Sequence, residues 1–294
     1  MIRLTSLTKQ FKKLRAVDGM DLTISQGERI ALIGSNGAGK TTMIRCILGE
    51  YTHDGTVEVW GASPRDSRQA VLSHIGFVPQ LPPPLKMPVS ELLRFSSSVS
   101  NRRVQDIEEI ALRLGLDVRT FAHQPFFKLS GGQKQKLLIA IALGRNADVL
   151  IMDEPAANLD PEARHAFFTL LAERVGTATM VISSHRLDEV AALVNRVVEL
   201  DRGTVVLDDR VGDSSIAGLL ECCIKLRRPD PAIANALEAW GFSTIDGGVQ
   251  WNGSVAGADR LRFTGLISRY VGLLSHVSLD EKAGAGAAQA GVAP

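Results

Sequence analysis

Ile33-Gly34-Ser35-Asn36-Gly37-Ala38-Gly39-Lys40-Thr41-Thr42 decides how this chain is read. The apolar run Ile30 to Ile33 enters it as a buried strand, and Met43 to Leu48 leaves it as an apolar helix, so the glycines fall at a strand-to-helix turn. A phosphate-binding loop needs that context. Gly34, Gly37 and Gly39 let the backbone curl until successive N–H groups face one concavity, where phosphate oxygens meet donors and the positive end of a helix dipole. Ser35, Asn36, Ala38 and Thr42 complete the cradle, Lys40 reaches the outer phosphates, and the Thr41 hydroxyl is placed for Mg²⁺.

Such a loop serves many nucleotide chemistries, so the acids have to narrow the choice. Val149-Leu150-Ile151-Met152 reads as a fully buried strand that delivers Asp153 and Glu154 at its carboxyl end. Asp153 suits Mg²⁺, a hard cation that takes oxygen ligands. Glu154, one residue further on, suits a general base that accepts a proton from an attacking water. Leu129-Ser130-Gly131-Gly132-Gln133 then precedes a helical pattern carrying Leu137, Leu138, Ala140, Ile141 and Leu143. Ser130 is a natural N-cap and the paired glycines leave backbone donors uncovered, which prepares a second helix N-terminus for an anion.

With two anion sites and one carboxylate pair, the sequence resembles the nucleotide-binding subunits of ATP-binding cassette (ABC) transporters, whose signature is this LSGGQ. The resemblance covers residues 1 to about 210. It implies an α/β P-loop core with an antiparallel β subdomain and a helical subdomain, and an ATPase using ATP and Mg²⁺. It also implies two subunits packed head to tail, with each ATP between the phosphate loop of one and Ser130 to Gln133 of the other. At matching positions it makes Phe11 the residue stacked on adenine and Gln80 a Mg²⁺ and water contact linking nucleotide to the membrane partner. Asn158-Leu159-Asp160 becomes the loop facing the opposing subunit, and His185 the γ-phosphate contact. Lys40, Gln80, Glu154 and His185 are the catalytic candidates; Thr41, Gln80 and Asp153 are the metal candidates.

The bulk composition limits the partners. With 294 residues, 45% of them hydrophobic, the chain can bury a large core and a smaller second one. A net charge of +1 makes no electrostatic case for nucleic acid, and the basic run Lys9 to Arg15, interrupted by Phe11 and Leu14, reads as a solvated loop. No apolar stretch approaches the about 20 residues that span a bilayer. A cytoplasmic protein is therefore expected, and the resemblance implies its attachment to the inner face of the membrane through a separate multi-span permease. The three cysteines, two of them adjacent at 222 and 223, form no disulfide framework.

Short apolar runs over residues 1 to 33, joined by Val57 to Trp60, predict the antiparallel sheet. The prolines at 82, 83, 84 and 88 open the helical subdomain, about 82–147, with a helix over Val104 to Leu114. Leu81 to Pro88 is expected to line the groove for the permease. The cassette is expected to span 1–213, a small α+β domain 216–282, and an alanine- and glycine-rich disordered tail 283–294. The small domain reads β-α-β-β-α-β, a ferredoxin-like order, with strands at Cys222 to Leu226, Phe242 to Ile245, Val249 to Trp251 and Gly272 to Val277 and helices at Pro231 to Trp240 and Ala258 to Tyr270. Appended domains of this kind resemble those of ABC-2 type exporters. An importer ATPase and a permease-independent ABC ATPase are the alternatives. Cys222, Cys223 and His276 are soft ligands on neighbouring strands, yet adjacent strand residues face opposite ways, so packing is the expected role of the thiols.

Overall fold

The computed structural model describes residues 1–184, 187–210, 219–256 and 259–281. In chain order its elements are β1 (Ile2–Phe11), β2 (Leu14–Ile24), β3 (Arg29–Ile33), α1 (Lys40–Ile47), β4 (Asp54–Val59), α2 (Arg68–Ser73), β5 (Ile75–Val78), α3 (Val89–Ser100), α4 (Val104–Arg113), α5 (Gly131–Gly144), β6 (Val149–Asp153), α6 (Pro161–Ala172), β7 (Thr179–Ser183), α7 (Leu187–Val190), β8 (Arg196–Asp201) and β9 (Thr204–Arg210). There follow β10 (Leu219–Leu226), α8 (Pro231–Glu238), β11 (Ser243–Asp246), β12 (Gln250–Ala256), α9 (Arg260–Arg269) and β13 (Leu274–Glu281). The described residues within Met1–His185 and Leu193–Arg210 form one unit, and those within Arg186–Ala192 and Val211–Pro294 a second.

In the first unit, β5-β6-β7-β3-β8-β9 make a six-stranded sheet. The pairs from β5 to β8 are parallel and β9 returns antiparallel. Parallel strands covered on both faces read as continuous apolar runs rather than alternating ones, and β6 and β7 are buried at every residue. Met43, Ile44 and Ile47 of α1 are fully buried in the same core as Ile30 and Leu32 of β3. At about 1.5–3 kcal/mol per buried side chain, these contacts hold the turn between β3 and α1 in place. Order β2-β1-β4 forms the antiparallel sheet. β3 belongs to the parallel sheet instead, because its neighbours are β7 and β8, so the run Ile30 to Ile33 is not part of the antiparallel layer.

The helical part follows Gln80. Its proline-rich entrance is a strap rather than a free connector: Phe126 N–H donates to Met87 O at 3.0 Å and Phe127 N–H to Leu85 O at 3.0 Å. The α4 stripe buries Ile107, Ala111 and the following Leu114, with Ile110 at the edge.

One buried ionic network ties the far side of the sheet. Arg196 on β8 has a side chain 3% exposed and donates to both Asp208 carboxylate oxygens at 2.7 Å, to Glu28 at 2.7 Å and to the Thr23 carbonyl at 2.7 Å. Removing one member of such a network strands the others. Arg196→Met is expected to lower unfolding free energy by about 3 kcal/mol, read from urea denaturation; a loss below about 1 kcal/mol would place the network among ordinary surface pairs. Arg196 holds the Asp208 carboxyl below its ordinary range. That contribution is complete above the ordinary carboxylate pKa and is lost as pH falls through the depressed folded value.

In the second unit β11-β12-β10-β13 form a four-stranded sheet with every pair antiparallel, which is the split β-α-β-β-α-β arrangement. Leu220, Cys222, Ile224 and Leu226 alternate into its core, where the Phe263 ring lies 5.0 Å from Phe242 and 5.1 Å from Trp240. The thiols divide accordingly, Cys222 buried and Cys223 half-buried on the other face. Among the described residues no cluster of His, Cys, Asp or Glu could hold a metal ion. Element ends differ from expectation: β10 begins at Leu219, β12 extends to Ala256 and β13 runs from Leu274 to Glu281, ends that the pairing of β10 with both neighbours sets, while α8 stops at Glu238 and α9 spans Arg260–Arg269. The expected boundary near 213–216 and the tail 283–294 lie outside the described residues.

Candidate nucleotide site

The carboxyl ends of β3, β6 and β7 lie side by side, and their last residues build the site. β3 pairs with β7 through Leu32 and Ser183, and β7 with β6 through Ser183 and Asp153. Thr41 Oγ1, on the first turn of α1, donates to Asp153 Oδ2 at 2.7 Å, and Ser183 Oγ donates to Asp153 Oδ1 at 2.6 Å. Both carboxylate oxygens are thereby oriented, and Asp153 is 2% exposed.

Two glycines make the loop possible. Gly34 has φ 142° and Gly39 φ 110°, which glycine alone adopts at little cost. A Cβ at Gly34 would overlap the Leu200 carbonyl oxygen, and one at Gly39 would stand 2.5 Å from the Ala16 carbonyl oxygen. Lys40 is 6% exposed, and its ammonium donates to the loop carbonyls of Gly34 at 2.6 Å and Ser35 at 3.2 Å. Burial lowers its pKa, and the nearby carboxylates of Glu154 and Asp153 oppose that shift.

Glu154 carries a backbone φ of 50°. For a non-glycine residue this costs on the order of 1–3 kcal/mol and persists only where surrounding bonds enforce it. Its N–H donates to Ser183 Oγ at 2.9 Å, and the carbonyl of the following Pro155 accepts from Gln135 Nε2 at 2.9 Å.

A cleft of about 300 Å³ is lined by Phe11, Leu14, Ala16, the loop from Ser35 to Thr42, Gln80, Asp153 and Glu154. It brings together residues far apart in sequence that were singled out separately. Phe11 stands at the mouth, 40% exposed, with Tyr51 edge-on at 5.3 Å and the Lys9 ammonium 4.9 Å from its ring. Ser130, Gly131, Gly132 and Gln133 are not among the lining residues. They begin α5 elsewhere on the unit, where Ser130 accepts from Gln133 N–H at 3.2 Å and Gln133 Oε1 accepts from Ser130 N–H at 2.8 Å, a complete capping box. Asp160 caps α6 through Ala163 N–H at 2.8 Å and pairs with Lys136 at 2.8 Å. His185 lies outside the described residues. Leu14, Ala16, Tyr51, Ser183 and Gln135 were not singled out from sequence; only Ser183 had a signal, its place at the end of a buried strand.

Thr41, Asp153 and Gln80 offer a hydroxyl, a carboxylate and an amide, all hard oxygen donors, and the 2.7 Å bond between the first two sets them at one point. That donor set fits Mg²⁺ rather than a softer metal.

The family model described as ABC transporter matches residues 17–157. A phosphonates import ATP-binding protein, PhnC, of Cupriavidus pinatubonensis is 38% identical, the match covering 70% of this chain and 82% of that protein. The chain belongs to the ABC transporter family. It is an ATP-binding subunit of that family, an ATPase that uses ATP with Mg²⁺. A methionine import ATP-binding protein, MetN, of Rhizobium johnstonii is 30% identical, the match covering 83% of this chain and 72% of that protein. The dimeric structure of a bacterial ABC transporter cassette superposes with TM-score 0.63 at 25% identity, covering 71% of this chain and 98% of that one. ABC ATP-binding subunits form dimers and work with a membrane permease. Among the described residues of this one, no helix is long and apolar enough to cross a membrane.

Proposed function

We propose that this ABC subunit powers a transporter by closing head to tail on a second copy of itself, with one ATP held by the cleft of each copy and the Ser130–Gln133 helix start of the other. The observation that supports it is the single cleft that gathers Phe11, the phosphate loop, Gln80, Asp153 and Glu154 while leaving the second anion-ready helix start outside it. Phe11 packs against the base and Lys40 takes the outer phosphates. Thr41, Asp153 and Gln80 hold Mg²⁺, which when bound neutralises phosphate charge. Glu154 accepts the proton of the attacking water and His185 contacts the γ-phosphate. Phosphoryl transfer of this kind depends on positioning and charge stabilisation, which suits a carboxylate fixed on a strained turn.

The permease meets the strap Leu81 to Pro88, and through it the chain sits at the inner face of the cell membrane. Leu81 is 76% exposed, and Phe95 and Val99 on α3 are exposed as well. Leu85→Asp and Met87→Asp are expected to abolish membrane association and any stimulation of ATPase by the permease; unchanged membrane recovery of both variants would refute the contact.

The direction we propose is export by an ABC-2 type system, supported by the split arrangement of the second unit. Import is the second reading, favoured by the import relatives, of which MetN matches 83% of this chain. Capture of Glu154→Gln protein with ATP from gently solubilised native membranes separates them. A multi-span ABC-2 permease among the bound chains supports export, and a permease accompanied by an external binding protein supports import. Ribosomal proteins or DNA without a membrane chain would defeat the transporter reading.

A further inference from the structure

Glu154 sits in a backbone conformation that its own residue type does not favour, with φ at 50°. Two side chains from different elements brace that turn. On one side Ser183, at the end of β7, accepts the Glu154 N–H at 2.9 Å. On the other, Gln135 of α5 donates from Nε2 to the Pro155 carbonyl at 2.9 Å.

Gln135 is an unusual brace. It is 0% exposed, and its Oε1 is buried with no hydrogen-bond partner among the described residues. A buried acceptor left unmade is a cost, and an apolar chain of similar shape at this position removes the orphaned Gln135 oxygen while leaving the Pro155 carbonyl without its donor, so one unmet acceptor is exchanged for another and the net effect on folding is small. A methionine would fill the same space without the orphaned oxygen. What the amide supplies beyond methionine is one N–H aimed at the residue after the carboxylate. Gln135 also lies two positions beyond Gln133, on the helix start that Lys136 fastens to Asp160 at 2.8 Å.

We infer that Gln135 is a positioning residue for hydrolysis: its N–H holds the Glu154–Pro155 turn in its strained form, and so joins a subunit's own hydrolytic carboxylate to the helix start it presents to the opposite nucleotide. The inference rests on the roles proposed above for Glu154 and for Ser130 to Gln133. The brace acts on the chemical step and leaves nucleotide binding alone, because neither Gln135 nor Pro155 is among the residues that line the cleft.

The test is Gln135→Met in the full chain, measured beside Glu154→Gln. The expected result is a kcat lowered about tenfold or more, with KM for Mg·ATP within about twofold of the parent, the split that marks an interaction made in the transition state. The melting temperature should stay within about 2 °C of the parent or rise. A kcat within about twofold of the parent overturns the inference, and so does a melting temperature that falls in step with activity, which would make Gln135 a stability residue. If the methionine variant does not fold, Gln135→Leu is read in the same way; failure of both to unfold cooperatively also assigns Gln135 to the fold and overturns the inference. Glu154→Gln separates the two layers of the argument. If it is inactive while Gln135→Met keeps its kcat, only the inference falls; if it hydrolyses ATP at the parent rate, the base assignment falls and the inference with it.

Discussion

Glu154→Gln protein is expected to bind Mg·ATP as tightly as the parent and to hydrolyse it about two to four decades more slowly, the usual worth of a positioned general base. The substitution is nearly isosteric, so the turn is kept: the N–H at 154 still reaches Ser183 Oγ and the Pro155 carbonyl still accepts from Gln135. What changes is the ability to take a proton, which an amide lacks. Binding is spared because the phosphate loop and Asp153 are untouched, and Asp153 keeps both of its oriented oxygens. With the chemical step blocked and binding intact, ATP should accumulate the closed dimer. Single-turnover hydrolysis and sedimentation in ATP read the two effects separately. A variant that turns over at the parent rate would remove Glu154 from the role of base.

Lys40→Ala is expected to act earlier, weakening Mg·ATP binding by at least about a hundredfold, since charge-assisted bonds to phosphate are worth about 1.5–3 kcal/mol each. In the structure the Lys40 ammonium is folded across its own loop, donating to Gly34 and Ser35 carbonyls. Those bonds keep a nearly buried charge satisfied and hold it over the concavity that receives the phosphates. Lys40→Arg should not restore binding, because a planar guanidinium cannot replace a compact ammonium in so tight a loop. Calorimetric titration with Mg·ATP measures the change, and circular dichroism checks that the variant is folded. Affinity within about threefold of the parent would contradict the assignment.

Much of this was legible in the chain because the information is local. The phosphate loop carries its own geometry in Gly34 and Gly39, the run Val149 to Met152 announces a buried strand, and Ser130 with Gln133 announces a helix start. Each is a short-range pattern whose physical demand is met by adjacent residues. The order of elements in the second unit was legible for a similar reason, since the apolar run at Cys222 to Leu226, the helix opening at Asp230 and Pro231 and the turn at Asp246 to Gly248 each mark themselves locally.

Sequence spacing was silent where contacts are made across the fold. Nothing in the neighbourhood of Gln135 marks it as a donor to Pro155, twenty residues away and on another element. Ser183 looks like any polar residue at a strand end until the parallel register sets it beside Asp153. The apolar run Ile30 to Ile33 is compatible with either sheet by composition, and only its pairing with β7 and β8 decides. The strap at Leu81 to Pro88 could have been a stiff bridge; hydrogen bonds from Phe126 and Phe127 are what pin it. The charge network around Arg196 is equally invisible in sequence, because Thr23 and Glu28 lie 173 and 168 residues before Arg196.

The central claim is that two copies of this chain share two nucleotides, each completed by the other copy's helix start. Native mass spectrometry of Glu154→Gln protein, with and without Mg·ATP, tests it most directly. The account predicts a monomer without nucleotide and, with it, a species of two chains carrying two ATP that is lost when Ser130 is also changed to Arg. A species of one chain carrying one ATP at saturating nucleotide, or a dimer indifferent to both ATP and Ser130, would contradict it.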